Sequence, residues 1–355
     1  MQLLLGNRSK LHVCKLYYYT TRSYQYQESG MTTHVTKLKW GILAPGRVAD
    51  SFAQDFALTE MSEIVSVAST NHERASAFAK KFGITEVFSS YNEFYQNSSC
   101  DIVYIASPHV FHKEQVISCL KAGKAVLCEK PLGVSLSEVY EMAAIAQNQN
   151  LFFMEGMWTR FFPVIETVLK VVKSGVIGKI RLVKADFCFK ADVDPNDRLL
   201  NPLLGGGSLL DTGTYVISFA QLVYGVMPVQ LKCQNIHTNT GVEGTGMYLL
   251  KYPDDALAML STSILTQTPH DAFIYGERGY IQIKDFWHPS SATVFFSDGV
   301  VENIREDIEG KGFIYEIREV EKQLAAGKTE SPKRTLNDTA QVLTIMDEIG
   351  RVVNY

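Results

Sequence analysis

Three stretches of the chain bring together residue types that could do chemistry. The first is Glu129-Lys130-Pro131, which follows an apolar run ending at Cys128. A lysine ammonium placed there can stabilise a developing alkoxide, or take the hydroxyl proton as a carbinol carbon loses hydride. Burial and a neighbouring positive charge would lower its pKa towards a useful range. The second stretch runs from Gly205-Gly206-Gly207 to Asp211 and Tyr215. Asp211 and Tyr215 are spaced i, i+4, so on a helix they share one face. A phenol acts as acid or base if its pKa falls, and Lys130 nearby would lower it. Either Lys130 or Tyr215 could then take the proton. Asp211 would bind hydroxyl groups or orient its neighbours, and the three glycines would let backbone approach a ligand. The third stretch, Met157-Trp158-Thr159-Arg160-Phe161, offers Trp158, Arg160 and Phe161 as the lining of a mouth where aromatic faces pack on ring carbons. Each motif also has a plain reading: a surface ion pair, a capping aspartate with a core tyrosine, or ordinary core.

The elements that must position them begin at Lys37. Leu38 to Leu43, Glu63 to Ala68, Asp101 to Ala106 and Ala125 to Cys128 read as short apolar strands. Between them Asp50–Leu58, Arg74–Phe82 and His112–Lys121 read as helices, and a further helix follows over Val134–Gln147. Gly83 and Gly123 close two of these helices. Strand alternating with helix predicts a parallel sheet covered on both faces.

The first strand-to-helix turn is Ala44-Pro45-Gly46-Arg47-Val48-Ala49. It fits G-x-G-x-x-G/A with alanine at the first position. Gly46 stands where a backbone must approach a pyrophosphate, and Arg47 and Val48 lead from it to the helix whose N-terminal amides would hold the phosphates. An NAD site usually ends its second strand in Asp or Glu. Here Ser69, Thr70 and Asn71 follow Ala68, with Arg74 close behind, which favours NADP while leaving NAD open. Ala106, Ser107 and His109 follow the third strand and are read as cofactor contacts, His112 as structural. Two histidines at that spacing do not make a metal site.

Composition narrows the classes. Of 355 residues 46% are hydrophobic and 20% charged, with 34 Lys plus Arg against 38 Asp plus Glu and a net charge of −4. Such a chain is neither disordered nor built for a broad nucleic-acid surface, and it has no apolar run long enough for a membrane span. Six scattered cysteines without a C-x-x-C pair point to a reducing, cytoplasmic setting. The first thirty residues carry Arg8, Lys10, Lys15 and Arg22 against Glu28 alone, and 1–36 are expected to be a disordered extension.

Glu129-Lys130-Pro131, Met157 to Phe161 and Gly205 to Tyr215 occur in this order in a known family. Over residues 38–355 the chain resembles the Gfo/Idh/MocA oxidoreductases, and within them the dihydrodiol and D-xylose dehydrogenase branch. Many family members carry histidine where this branch, like this chain, carries Tyr215. The resemblance implies an α/β protein, with a Rossmann-type parallel sheet over 37–155. A substrate-binding and dimerising part over 156–355 would follow, built on a large, open, mostly antiparallel sheet. Strand-like runs at Lys179–Phe189, Val229–His237, Gly246–Tyr252, Ala256–Leu265 and Tyr280–Ile283 fit that expectation. The final helix, Asn337 to Val353, is expected to return to the nucleotide-binding part. The resemblance also implies a Lys130 aimed by a cis Pro131 and a Glu129 that holds Lys130 or a cofactor ribose. It implies catalysis by Lys130, Tyr215 and Asp211, and a homodimer formed through the open sheet. The expected activity is hydride transfer between NAD(P) and a sugar, polyol or cyclic vicinal diol. The alternatives are reduction of a sugar ketone, or a dinucleotide sensor without turnover.

Overall fold

The structure, a computed structural model, describes residues 37–194 and 197–353. The expected N-terminal extension lies outside the described residues. The first sheet consists of β1 (Leu38–Leu43), β2 (Ser62–Ala68), β3 (Glu86–Phe88), β4 (Ile102–Ile105), β5 (Ala125–Glu129) and β6 (Phe153–Gly156). All its pairings are parallel, in the order β3-β2-β1-β4-β5-β6. The chain leaves β1 towards one side of the sheet and reaches β4 on the other. A crevice therefore opens beyond the carboxyl ends of these two strands, where such sheets bind ligands. The central strands are buried on both faces, which is why Ile102–Ile105 reads as unbroken apolar sequence rather than alternation.

Helices α1 (Arg47–Gln54), α2 (His72–Phe82), α3 (Tyr91–Asn97), α4 (His112–Lys121) and α5 (Leu136–Gln149) connect these strands. The first expected helix starts earlier than its apolar pattern suggested, directly at Arg47, and tightens to a 3₁₀ turn at Asp55–Leu58. Three short elements escaped sequence reading. β3 has three residues, α3 is two turns capped by Ser90, and β6 hides in a run that also carries site residues.

After α6 (Pro163–Lys173) comes the second sheet: β7 (Ile180–Cys188), β8 (Gln230–His237), β9 (Glu243–Tyr252), β10 (Ala256–Ser263), β11 (Ala272–Gly276), β12 (Gly279–Ile283), β13 (Ser291–Phe296) and β14 (Val301–Arg305). Its order is β14-β13-β12-β11-β7-β10-β9-β8, antiparallel except for the β7–β10 pair. Strict alternation in β9 and β10 buries Tyr248, Leu250, Ala258 and Leu260 against helices and turns Met247, Leu249, Leu257 and Met259 outwards. α7 (Thr214–Tyr224), α8 (Ile314–Ala325) and α9 (Leu336–Val353) complete the fold. α9 packs against both α7 and α5, and its Asp347 accepts the Leu136 N–H at 3.1 Å. One continuous core joins the two sheets, from Leu43 and Ile105 to Val183, Leu260 and Ile349.

Ala44 takes φ +65°, the left-handed region that a glycine occupies without strain. Replacing it with glycine relieves that strain but loosens the unfolded chain. Ala44→Gly should therefore stabilise the protein by up to about 1 kcal/mol in urea unfolding. A destabilised variant would show that the Ala44 methyl group contributes packing that outweighs the strain.

Candidate active site

Lys130 follows directly on β5, and its turn is clamped on both sides. The Lys130-Pro131 bond is cis. His112, fully buried at the start of α4, places Nδ1 2.9 Å from Pro131 O and Nε2 2.8 Å from Ser107 O. The next amide, Leu132 N–H, donates to Glu155 on β6 at 3.0 Å. Glu155 in turn accepts from Arg334 Nε at 2.8 Å and from the Thr339 hydroxyl at 2.9 Å. Glu155 and Arg334 are both fully buried, so each depends on the other for its missing hydration.

Thus held, the Lys130 ammonium donates to the Asp211 carbonyl at 2.9 Å and lies 3.8 Å from the Asp211 carboxylate. It also sits over the Tyr215 ring, 4.7 Å from its centre. The structure brings Lys130, Asp211 and Tyr215 together, although not on a single α-helix. Residues Leu209–Gly213 form a π-helical turn, and α7 begins only at Thr214. Such wide turns recur at functional sites.

Two of the expected details change. Burial pushes the Tyr215 phenol well above its ordinary value, and the carboxylates of Glu129 and Asp211 add to it. The expected lowering by Lys130 is therefore outweighed, and Tyr215 keeps its proton. Burial also raises Asp211, but the Lys130 and Arg198 cations outweigh it and hold the carboxyl below its usual range. Arg198 Nη2 donates to Asp211 Oδ1 at 3.0 Å. The glycine run serves the chain rather than a ligand. A Cβ on Gly206 would meet the Leu199 carbonyl oxygen at 2.6 Å, and one on Gly205 would meet His109 Nε2 at 2.2 Å.

Of the three residues expected at the mouth, Trp158 alone joins the aromatic group beside Tyr215. Its ring lies 4.7 Å from Phe313 and 5.9 Å from Trp287, and Phe187 bridges Trp287 and Tyr215 at 5.2 and 5.1 Å. Arg160 turns the other way. Its guanidinium, 4% exposed, binds Asp338 at 3.0 Å and also Gln221, joining α7 to α9. Phe161 is buried in the core beneath the first sheet. Arg198, Phe187, Trp287 and Phe313 were missed, since each lies in a run with no motif of its own.

The dinucleotide turn is shaped to receive phosphate. Gly46 is the N-cap of α1 and has no side chain to satisfy the helix amides. A Cβ there would meet nothing nearer than Ala44 O at 4.0 Å, so the approach is open. A groove of about 540 Å³ beside it is lined by Gly46, Arg47, Ser51, Arg74 and Lys81, among others. Exposed amides, a helix dipole and the Arg47 and Arg74 cations suit phosphate, whereas Lys81 is paired at 2.5 Å with Asp50, which lines the same groove. Thr70 and Val48 are exposed nearby. Ser69 is not available as expected, because it is buried and accepts the Asn71 N–H at 3.1 Å. The Ala106 N–H is spent on Leu43 O at 3.1 Å and the Ser107 hydroxyl on Gln115 at 2.6 Å. Glu129, at the end of β5, accepts from the Tyr104 hydroxyl at 2.5 Å and from its neighbour Lys130 N at 3.2 Å.

The family description "Oxidoreductase family, NAD-binding Rossmann fold" matches residues 38–157, and "GFO/IDH/MocA C-terminal domain" matches 165–282. The chain belongs to the Gfo/Idh/MocA oxidoreductases. It is an enzyme acting on CH–OH groups, with an NAD(P)-binding Rossmann fold. Among similar curated proteins, mouse trans-1,2-dihydrobenzene-1,2-diol dehydrogenase is 35% identical over 324 residues, covering 89% of this chain and 97% of that one. The human enzyme of that name is 34% identical over 326 residues, covering 89% and 97%. Two solved structures share the fold. Aldose-aldose oxidoreductase from Caulobacter crescentus has a TM-score of 0.82 at 23% identity, covering 90% of this chain and 98% of that one. Levoglucosan dehydrogenase has 0.81 at 22%, covering 90% and 97%.

His109 donates from Nε2 to Gly205 O at 2.8 Å, and burial is the main reason its pKa drops from 6.5 to about 4. Its folded-state pKa lies below the unfolded value, so acid favours the unfolded chain. Stability should fall as pH drops from 6.5 to about 4, by up to ~1.4 kcal/mol per pH unit from this group. Urea midpoints of His109→Gln across that window should show a shallower slope than the wild type; parallel slopes would refute the assignment.

Proposed function

We propose that the chain is a nicotinamide-dependent dehydrogenase for a cyclic vicinal diol, with sugars and polyols as the wider substrate class. The observation that carries this reading is the Lys130 ammonium, held between the Asp211 carbonyl and the face of Tyr215 at the carboxyl edge of the first sheet. Gly46, Arg47 and the start of α1 would hold the pyrophosphate, and Glu129 a ribose; the nicotinamide, when bound, supplies the hydride acceptor. The Lys130 side-chain nitrogen is placed to take the proton of the alcohol oxygen while the C–H bond gives up its electron pair. Tyr215, kept protonated by burial, donates a hydrogen bond to that oxygen. Asp211 holds the ammonium in place, and Arg198 holds Asp211. The flat walls of Trp158, Trp287 and Phe187 suit a six-membered carbon ring. The relatives named trans-1,2-dihydrobenzene-1,2-diol dehydrogenase support the same class. The reverse reaction, reduction of a cyclic ketone, uses the same groups.

We assign NADP as the preferred form, because Arg47 and Arg74 share the groove at the dinucleotide turn, its one lining carboxylate, Asp50, is paired with Lys81, and no carboxylate stands at Ser69 to Asn71. Five unpaired cysteines in the described residues suit a reducing compartment, and we place the enzyme in the cytoplasm.

The test is a panel of trans-dihydrodiols, aldoses and inositols with either oxidised dinucleotide, followed at the absorbance of the reduced nicotinamide. Turnover of at least one cyclic diol is expected. Lys130→Met should lower kcat by roughly 10²-fold or more and Tyr215→Phe by less. Arg74→Ala should raise KM for NADP by about tenfold and leave that for NAD unchanged. Intact dinucleotide binding without turnover would favour a sensor, and a clear wild-type preference for NAD would overturn the cofactor assignment.

We further propose that two copies associate through the outer face of the second sheet. Met247, Leu249 and Leu257 are 55%, 54% and 51% exposed there. They continue into a ladder of Phe273, Tyr275, Tyr280 and Phe295 with ring centres 4.5–5.7 Å apart. A patch of this kind marks an interface. Sedimentation should find a dimer that Leu249→Lys converts to monomer; a wild-type monomer would refute it.

A further inference from the structure

Behind Lys130 lies an acid that the reaction scheme does not use. Glu316, in the first turn of α8, is fully buried, and neither of its carboxyl oxygens has a hydrogen-bond partner among the described residues. It converges with Glu129 on one point of the first sheet. A Cβ built on Gly156 would stand 3.6 Å from Glu316 Oε2 and 3.7 Å from the Glu129 Cα, and Glu129 pairs with Gly156 across β5 and β6. A fully buried carboxyl without a partner resists ionisation, and the neighbouring Glu129 adds to the cost of charging it.

The groups around Glu316 reinforce this. Glu129 faces it from β5, Tyr104 from β4, Tyr215 from α7, and Asp55 from the turn after α1. Asp55 is occupied with the Lys311 and Ile314 N–H groups, at 2.7 and 3.0 Å. Lys130, the cation next to Glu129 in the chain, is held by Asp211. Burial raises Glu316 well above the carboxylate range, and Glu129 and Asp55 raise it further. Glu129 is itself raised by burial, despite the Tyr104 hydrogen bond and Lys130.

We propose that Glu316 and Glu129 form a buried acid pair that holds one proton in the dinucleotide-free protein and releases it when an oxidised, positively charged nicotinamide binds beside Lys130. The reduced ring is neutral and leaves the pair protonated. Glu316 is thus a positioning residue that keeps the charge behind Lys130 matched to the redox state of the cofactor. The inference rests on the dehydrogenase reading given above.

Calorimetric titration of each dinucleotide, in two buffers of different ionisation enthalpy, counts the protons released on binding. The 2′-phosphate contributes alike in both redox forms, so the difference between them isolates the nicotinamide charge. The wild type should release up to about one more proton with the oxidised form than with the reduced form. Glu316→Gln should abolish most of that difference, whereas Lys130→Met should keep it. A second measurement needs no variant: the infrared carbonyl band of a protonated carboxylic acid should fade when oxidised dinucleotide is added and persist with the reduced form. Equal release with both forms, an unchanged difference in Glu316→Gln, or an indifferent infrared band would each overturn the acid pair. Failure of either dinucleotide to bind would instead overturn the site reading, and the acid pair with it.

Discussion

A half-hidden ammonium is costly unless its charge is met, and the site is organised around meeting that of Lys130. The Lys130 and Asp211 side chains are each 15% exposed, and they come from distant parts of the chain. Lys130 arrives on the turn after β5 of the parallel sheet, and Asp211 on a turn that precedes α7. Neither sheet alone would complete the site. The turn that carries the lysine is fixed from beneath by His112 and by the fully buried Glu155–Arg334 pair. Arg334 lies just ahead of α9, so the end of the chain supports its most reactive residue.

The electrostatics divide into two zones. In front of Lys130 stand the ionised Asp211 and the Arg198 that steadies it. Behind it Glu129, Glu316, Tyr104 and Tyr215 crowd into low-dielectric surroundings that favour neutral forms. Tyr215 belongs to both zones, with its ring under the ammonium and its phenol among the acids.

Much of this was legible in the amino-acid order. The alternation of apolar runs with helices marked the parallel sheet, because its central strands are buried on both faces. Glu129-Lys130-Pro131 was visible because three chemically distinctive residues follow an apolar strand. Other features left little trace. β3 is too short for periodicity to register, and β11 and β13 fall in stretches where no alternation was read. Arg160 and Phe161 were placed at the mouth beside Trp158. The tight 3₁₀ turn at Trp158–Phe161 sends their side chains elsewhere, to Asp338 and into the core. Sequence reading placed Glu316 nowhere, since a lone acid on an amphipathic helix reads as solvent-facing. Only the packing of α8 against β6 gives it meaning.

The π-helical turn at Leu209–Gly213 has a consequence for how this scaffold can change. Such a turn fits one residue more than an α-helical one into the same rise. Excising a single residue there would close the turn to an α-helical one with the flanking segments still in phase, and the residues inside the turn would change their bearing. Asp211 would leave the lysine while Tyr215, already in the regular part, stayed put. A one-codon deletion could thus separate nucleotide binding from chemistry without disturbing either sheet.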